Sequence, residues 1–282
     1  MADALNLSAT AHEENLSLRS LTRATLSSLQ TIRTRLLDDA DLRAPTIVFA
    51  PHQDDETLGC GGTLVRKCAM GSPVSVVFMT DGSASHPQFM AAEKLAATRA
   101  GEALAATLTL GVAERQVRFL GAPDGALRDQ GRTVIPALID ILTERRPAQV
   151  FIPYARDRLP DHVATHDFVV TAIRRAGLSV TIFEYPVWFW NHWPWMRQST
   201  GTTTERLRHF ARESLAGLMD FNTRVCVRDV LEKKIAALNC HKTQMTRFDA
   251  SEQWLTLNDV AGGDFIRCLL GDREIFHRWQ IR

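Results

Sequence analysis

Residues 46–62 read Thr46-Ile47-Val48-Phe49-Ala50-Pro51-His52-Gln53-Asp54-Asp55-Glu56-Thr57-Leu58-Gly59-Cys60-Gly61-Gly62. The first five form a short, β-rich apolar run, the mark of a strand buried on both faces. The next six place an imidazole and three consecutive carboxylates at the exit of that strand. A glycine-rich turn follows and opens a helical stretch near 57–70. A buried strand, a polar turn and a helix make the first half of a βαβ unit.

The pattern then repeats. Residues 74–79, 117–120, 149–153 and 180–183 read as further strands. Residues 91–110, 133–145 and 162–176 read as the helices between them, the first ending at Gly111. Strands alternating with helices predict an α/β, Rossmann-like fold, with a mainly parallel sheet and helices on both faces. After residue 185 the alternation fades into an aromatic loop. A helix near 204–219, a strand near 223–227 and a helix near 229–240 close the domain. Upstream, residues 1–44 are polar and helix-forming, with leucines at 16, 18, 21, 29, 36 and 37. They read as an N-terminal helical extension that packs on the domain or on a partner subunit, before a single domain over 45–282.

Composition narrows the function. Of the 282 residues, 45% are hydrophobic and 23% charged, which excludes disorder. A formal net charge of +1 gives no bulk field for nucleic acid or an anionic membrane. No apolar run spans a bilayer and no secretory signal opens the chain, so the expected location is cytoplasmic. Five scattered cysteines without a CxxC are read as reduced thiols.

In open parallel sheets, ligands bind at the carboxyl ends of the strands. Like charges as close as Asp54, Asp55 and Glu56 raise one another's pKa unless a cation holds them. His52 and Asp55 offer one nitrogen and one oxygen to a divalent metal and leave Asp54 free. The plain alternative is helix capping, since carboxylates also satisfy the free N–H groups at a helix start. A second polar cluster, Asp157-Arg158-Leu159-Pro160-Asp161-His162, follows the fourth strand, with His166 one turn on. If the sheet brings both clusters to one rim, His52, Asp55 and His162 make a three-ligand site with room for water, the form of catalytic zinc. Asp161 is then placed to support a ligand.

The run PHQDDETLGCGG resembles the (A/P)HPDDE signature of the PIG-L/LmbE-type N-acetylglucosaminyl deacetylases, with Gln53 in place of the usual proline. Other pieces follow in that family's order: Thr80-Asp81-Gly82, Arg99 with Glu102, Pro123-Asp124-Gly125, the 157–162 cluster, and Lys234 with His241-Lys242-Thr243-Gln244. The resemblance covers roughly residues 46–250. It implies zinc-dependent removal of an acetyl group from an N-acetylated amino sugar or sugar conjugate. It also implies His52, Asp55 and His162 as metal ligands, Asp54 as general base, and Arg99 and Asp124 as substrate contacts. One departure stands out: Leu159 occupies the place of a histidine that the family is thought to use on the tetrahedral intermediate. Leucine neither donates a hydrogen bond nor carries charge. Zinc acts without it, or His166, His192 or His241 takes its place, or the chemistry is altered.

Two weaker signals remain. Residues 185–195 hold four of the six tryptophans and suit a glycan-binding rim, an apolar contact surface, or plain core packing. Gly59-Cys60-Gly61-Gly62 lacks the spacing of a dinucleotide fingerprint and reads as glycines that let a helix approach the sheet. The competing functions are a metal-free nucleotide-binding protein and a non-catalytic relative of the deacetylases. The leucine-bearing extension hints at a homo-oligomer.

Overall fold

A computed structural model describes residues 17–196, 202–247 and 253–282. Residues 1–16, the first part of the predicted extension, lie outside it. The elements run α1 (Leu18–Arg33), β1 (Arg35–Leu36), α2 (Asp39–Arg43), β2 (Thr46–Ala50), α3 (Asp55–Ala69) and β3 (Val74–Thr80). Then come α4 (Ala92–Leu110), β4 (Val117–Ala122), α5 (Gly131–Arg145), β5 (Gln149–Pro153), α6 (Pro160–Arg175) and β6 (Val180–Tyr185). The chain continues through α7 (Thr203–Met219), β7 (Thr223–Cys226), α8 (Leu231–Leu238), α9 (Lys242–Met245), α10 (Asp264–Leu269) and β8 (Arg273–Ile281).

One sheet orders its strands β1-β7-β8-β6-β5-β2-β3-β4. Every pairing is parallel except the two made by β8. The α/β, mainly parallel reading therefore holds, and the strands predicted from their apolar runs all form. The sequence reading left out β8, which inserts antiparallel between β6 and β7. Its residues mix charged and apolar types (Arg273, Glu274, Ile275, Phe276, His277, Arg278), so no uninterrupted apolar run marks it.

Side chains alternate across the strands as a pleat requires. Val48 and Ala50 join the core under α3, α4 and α8, while Ile47 and Phe49 join the core under α5 and α6. Strand β2 pairs with β3 on one side and β5 on the other. The chain runs outward from β2 to β3 and β4 and returns to β5, so the topological switch lies where β2 and β5 end, the place such sheets bind ligands.

Helix α3 lies very close to its neighbours. A Cβ on Gly59 would meet Tyr185 Cδ2 at 2.2 Å, and one on Gly62 would meet Val227 Cγ1 at 2.6 Å. The glycines thus serve helix packing, as the sequence reading expected. Below them Glu274 of β8 accepts the N–H groups of Gly62 and Thr63 at 2.8 and 2.7 Å and the Lys234 ammonium at 2.7 Å. Both charges are buried. Helix α1 packs on α7, with Gln30 Nε2 donating to the Gly217 carbonyl at 3.2 Å, and β1 pairs with β7. Among the described residues no helix is long and apolar enough to cross a membrane.

Candidate metal centre and catalytic cavity

Asp54 is the N-cap residue of α3, yet its side chain makes no capping hydrogen bond. The capping explanation therefore fails for this carboxylate. Asp55 instead closes the turn, accepting the His52 N–H at Oδ2 over 2.9 Å, while Glu56 Oε2 accepts the Asp54 N–H at 3.1 Å. On the other strand end, Pro160 sits at the first position of α6, where its missing N–H costs nothing. Asp161 and His162 follow in the first turn.

The two strand ends bring their clusters together. Asp55 Oδ2 lies 3.2 Å from His52 Nδ1 and 3.3 Å from His162 Nε2. His52, Asp55 and His162 each offer a ligand atom, all within 4.8 Å of one another. His162 Nδ1 faces Asp157 Oδ2 at 3.0 Å, and Asp157 also accepts the Val187 N–H. That pairing engages Nδ1 and leaves Nε2, which faces Asp55, as the nitrogen a metal would take. Nε2 is buried with no hydrogen-bond partner. An orphaned imidazole nitrogen beside a carboxylate, with its far nitrogen held by a second carboxylate, is the donor arrangement of a divalent metal site.

A second group, His52 with Asp124 and Asp161, also clusters. Its carboxylates are already committed to backbone. Asp161 accepts the N–H groups of Gly125 and Leu127, and Asp124 Oδ2 accepts that of Ala84 at 2.9 Å. Both still face His52 Nε2, at 3.2 Å from Asp124 and 3.4 Å from Asp161. The first group is the better fit.

The charges respond to this crowding. Burial works against a charged His52, but Asp124, Asp161 and Asp55 outweigh it and hold its pKa well above the usual value. Burial likewise opposes charge on His162, yet Asp55 and Asp157 lift its pKa to about 9. Asp55 is held far below the usual carboxylate range by His162 and His52, against the effect of its burial. Asp54 moves the other way: burial, opposed by Arg99 and reinforced by Asp55, pushes it up to about 6. Neighbouring aspartates thus have opposite tendencies, one to bind a cation and one to hold a proton.

A cavity of about 200 Å³ opens over these groups. His52, Asp54 and Asp55 line it together with the polar Ser85, Arg99, Asp124 and Gln244 and the apolar Leu58, Leu159, Trp188 and Leu257. Arg99 is anchored by the carbonyls of Gly82 and Gln53, and its Nη2 lies 3.5 Å from Asp54 Oδ2. A larger cavity of about 470 Å³ lies between α1 and β8 and carries none of the clustered donors.

The three histidines offered in place of the one missing at Leu159 do not line the cavity. His166 faces Glu184 at 3.1 Å, His192 Nδ1 faces the Phe189 carbonyl at 2.8 Å, and His241 Nε2 faces Glu56 at 3.3 Å. None of the three lines the cavity beside Leu159. Most of the tryptophan loop is core, with Phe189 and Trp190 buried, and Trp188 alone of its residues lines the cavity. Sequence reasoning missed Asp157 as the partner of His162 and Gln244 as a cavity residue. The carboxylate five positions before His162 was the available signal for the first.

The PIG-L family model, described as GlcNAc-PI de-N-acetylase, matches residues 47–173. The 1D-myo-inositol 2-acetamido-2-deoxy-alpha-D-glucopyranoside deacetylase of Mycobacterium sp. strain JLS is 30% identical over 257 residues, covering 77% of this chain and 80% of that protein. Its counterpart in Mycobacterium sp. strain KMS is 29% identical over 256 residues, with the same coverage. The structure of N,N'-diacetylchitobiose deacetylase from Pyrococcus horikoshii superimposes with a TM-score of 0.63 over 95% of this chain and 94% of that one, at 19% identity, which speaks for the fold. Nucleotide binding is not favoured by any of these. With the strand-end donors in place and a relative this similar over most of both chains, the chain belongs to the PIG-L family of deacetylases.

Proposed function

We propose that this protein hydrolyses the acetamide of an N-acetylated amino sugar or sugar conjugate, with a zinc ion held by His52, Asp55 and His162 and with Asp54 as general base. The observation that carries the reading is the buried, unpartnered Nε2 of His162 beside Asp55, next to a carboxylate that neither caps its helix nor belongs to the donor set. Zinc bound there supplies Lewis acidity, lowering the pKa of water toward ~7 and polarising the amide carbonyl.

The chain's own residues do the rest. Asp54, its proton affinity raised by burial, takes a proton from the attacking water and returns it to the departing amine. Arg99 keeps that carboxylate in place. Asp157 engages Nδ1 of His162, and Asp161 holds the backbone of residues 125–127 while facing His52. Arg99 and Asp124 remain the proposed substrate contacts, joined now by Ser85 and Gln244, which line the same cavity. A sugar presents hydroxyls that need partners once buried, and these four side chains offer both donors and acceptors.

Metal analysis of the purified protein combined with acetate release from N-acetylated sugars tests the proposal. Asp54→Ala retains bound metal and loses hydrolysis by about 10²–10⁴-fold, the scale of a lost proton-transfer group. His162→Ala loses metal. Full turnover in the first variant, or full metal content in the second, refutes the assignments.

A further inference from the structure

Ser85 and Gln244 of the cavity lining belong to one chain of hydrogen bonds, and its two ends set the direction of every bond in it. At one end His86 Nε2 lies 2.8 Å from the Leu255 carbonyl, which only accepts, so Nε2 carries the hydrogen. Burial lowers the pKa of His86, which keeps the ring neutral above its ordinary 6.5 and leaves a lone pair on Nδ1. That lone pair faces Ser85 Oγ at 3.1 Å, and the ring is buried against Trp254, so the serine proton goes to it. At the other end Glu102 Oε2 accepts the Thr243 hydroxyl at 2.6 Å. Both hydroxyl protons are then spent. Gln244 Nε2 stands between the two oxygens, 3.2 Å from Ser85 Oγ and 3.3 Å from Thr243 Oγ1. Only an amide nitrogen satisfies both, which fixes the orientation of the amide.

Neither side chain has a proton left to offer the cavity. Ser85 Oγ keeps one lone pair. Gln244 Oε1 takes no hydrogen bond among the described residues and is not sealed from solvent. We infer that Ser85 and Gln244 form an acceptor pair that binds the substrate through free hydroxyls of its sugar. An oxygen capped by a further group brings no proton and leaves the pair unmet. The site therefore takes an amino sugar that is unsubstituted at the hydroxyls it meets there. This inference deepens the hydrolase reading above and rests on it.

The test uses the zinc-loaded full chain and the methyl glycoside of N-acetylglucosamine, with counterparts deoxygenated or fluorinated at each free hydroxyl in turn and released amine as the readout. Fluorine accepts weakly and cannot donate, so it tells a hydroxyl that gives its proton from one that only receives. At one position or more the fluoro compound is expected to fall as far as the deoxy compound, by about 10–100-fold in kcat/KM, the rate equivalent of a hydrogen bond whose partner is left unmet. Ser85→Ala is expected to remove most of that loss at one position, with zinc content unchanged. A fluoro series hydrolysed as fast as the parent glycoside overturns the inference and leaves the hydrolase reading standing. The same loss at every position in a folded, zinc-loaded Ser85→Ala does so too. No hydrolysis of the parent glycoside overturns both.

Discussion

Asp54 and Asp55 are consecutive and chemically identical, and the fold separates them by what each one faces. Asp55 faces two imidazoles; Asp54 faces a single guanidinium from inside the protein. The sequence carries both carboxylates and both imidazoles in plain view, because strand ends mark where chemistry gathers. It does not carry the partner of His162, since Asp157 becomes a hydrogen-bond acceptor only when the loop folds back over the first turn of α6. That contact yields a prediction. Asp157→Asn removes the charge that orients the imidazole, and metal affinity is expected to fall about 10–100-fold. Competition with a chromophoric chelator measures it, and an unchanged affinity dismisses Asp157 as a support. Leu159 was legible as a departure, but its meaning was not. Only the cavity shows that this leucine shares its lining with Trp188 and Leu257, residues far downstream in the chain.

At the scale of elements, β8 is the instructive miss. An apolar run announces a strand whose two faces meet only hydrocarbon. β8 instead carries Glu274 into the interior, and its charge is met by Lys234 from α8 and by two backbone N–H groups of α3. A buried carboxylate in a strand is invisible until its partner is known, and here the partner lies 40 residues away. Breaking such a pair leaves an uncompensated charge at a cost of about 3–5 kcal/mol. Glu274→Gln is therefore expected to lower unfolding free energy by about that amount in a urea titration. A loss under 1 kcal/mol means that the pair contributes little. The parallel strands and their helices, by contrast, were readable nearly to their ends, because propensity, apolar runs and glycine stops all agree there.

Across the whole molecule, Glu184 joins parts that are far apart in sequence. Its carboxylate meets His166 of α6, His277 and Trp279 of β8, and the Ala155 N–H after β5. Burial raises its pKa, but His166 and His277 outweigh that and bring it down to about 2. His166 shifts the opposite way: burial opposes its charge and Glu184 prevails, raising it. A carboxylate with a lowered folded pKa contributes stability above its ordinary value of 4.5, lost as pH falls toward about 2. A histidine with a raised folded pKa contributes fully below its ordinary 6.5 and loses that contribution as pH rises through the raised value. Both act between those ordinary values, so melting temperature is expected to drop below pH 4.5, and Glu184→Gln to flatten that drop. An identical acid limb in the variant removes Glu184 as its source.

The donors of the candidate metal centre come from the ends of two adjacent strands, yet Asp55 and His162 are separated by more than a hundred residues of chain. An ion held between them is therefore a removable staple. Binding to the folded form alone stabilises it by about 2.7 kcal/mol when free ion stands at a hundred times its dissociation constant. Heat tolerance then follows metal supply: a chelator lowers the melting temperature of the protein, and does so far less once His162 is replaced by alanine. Such a molecule is sturdy where metal is plentiful and fragile where it is scarce, so starvation for one nutrient would thin its numbers as well as silence it.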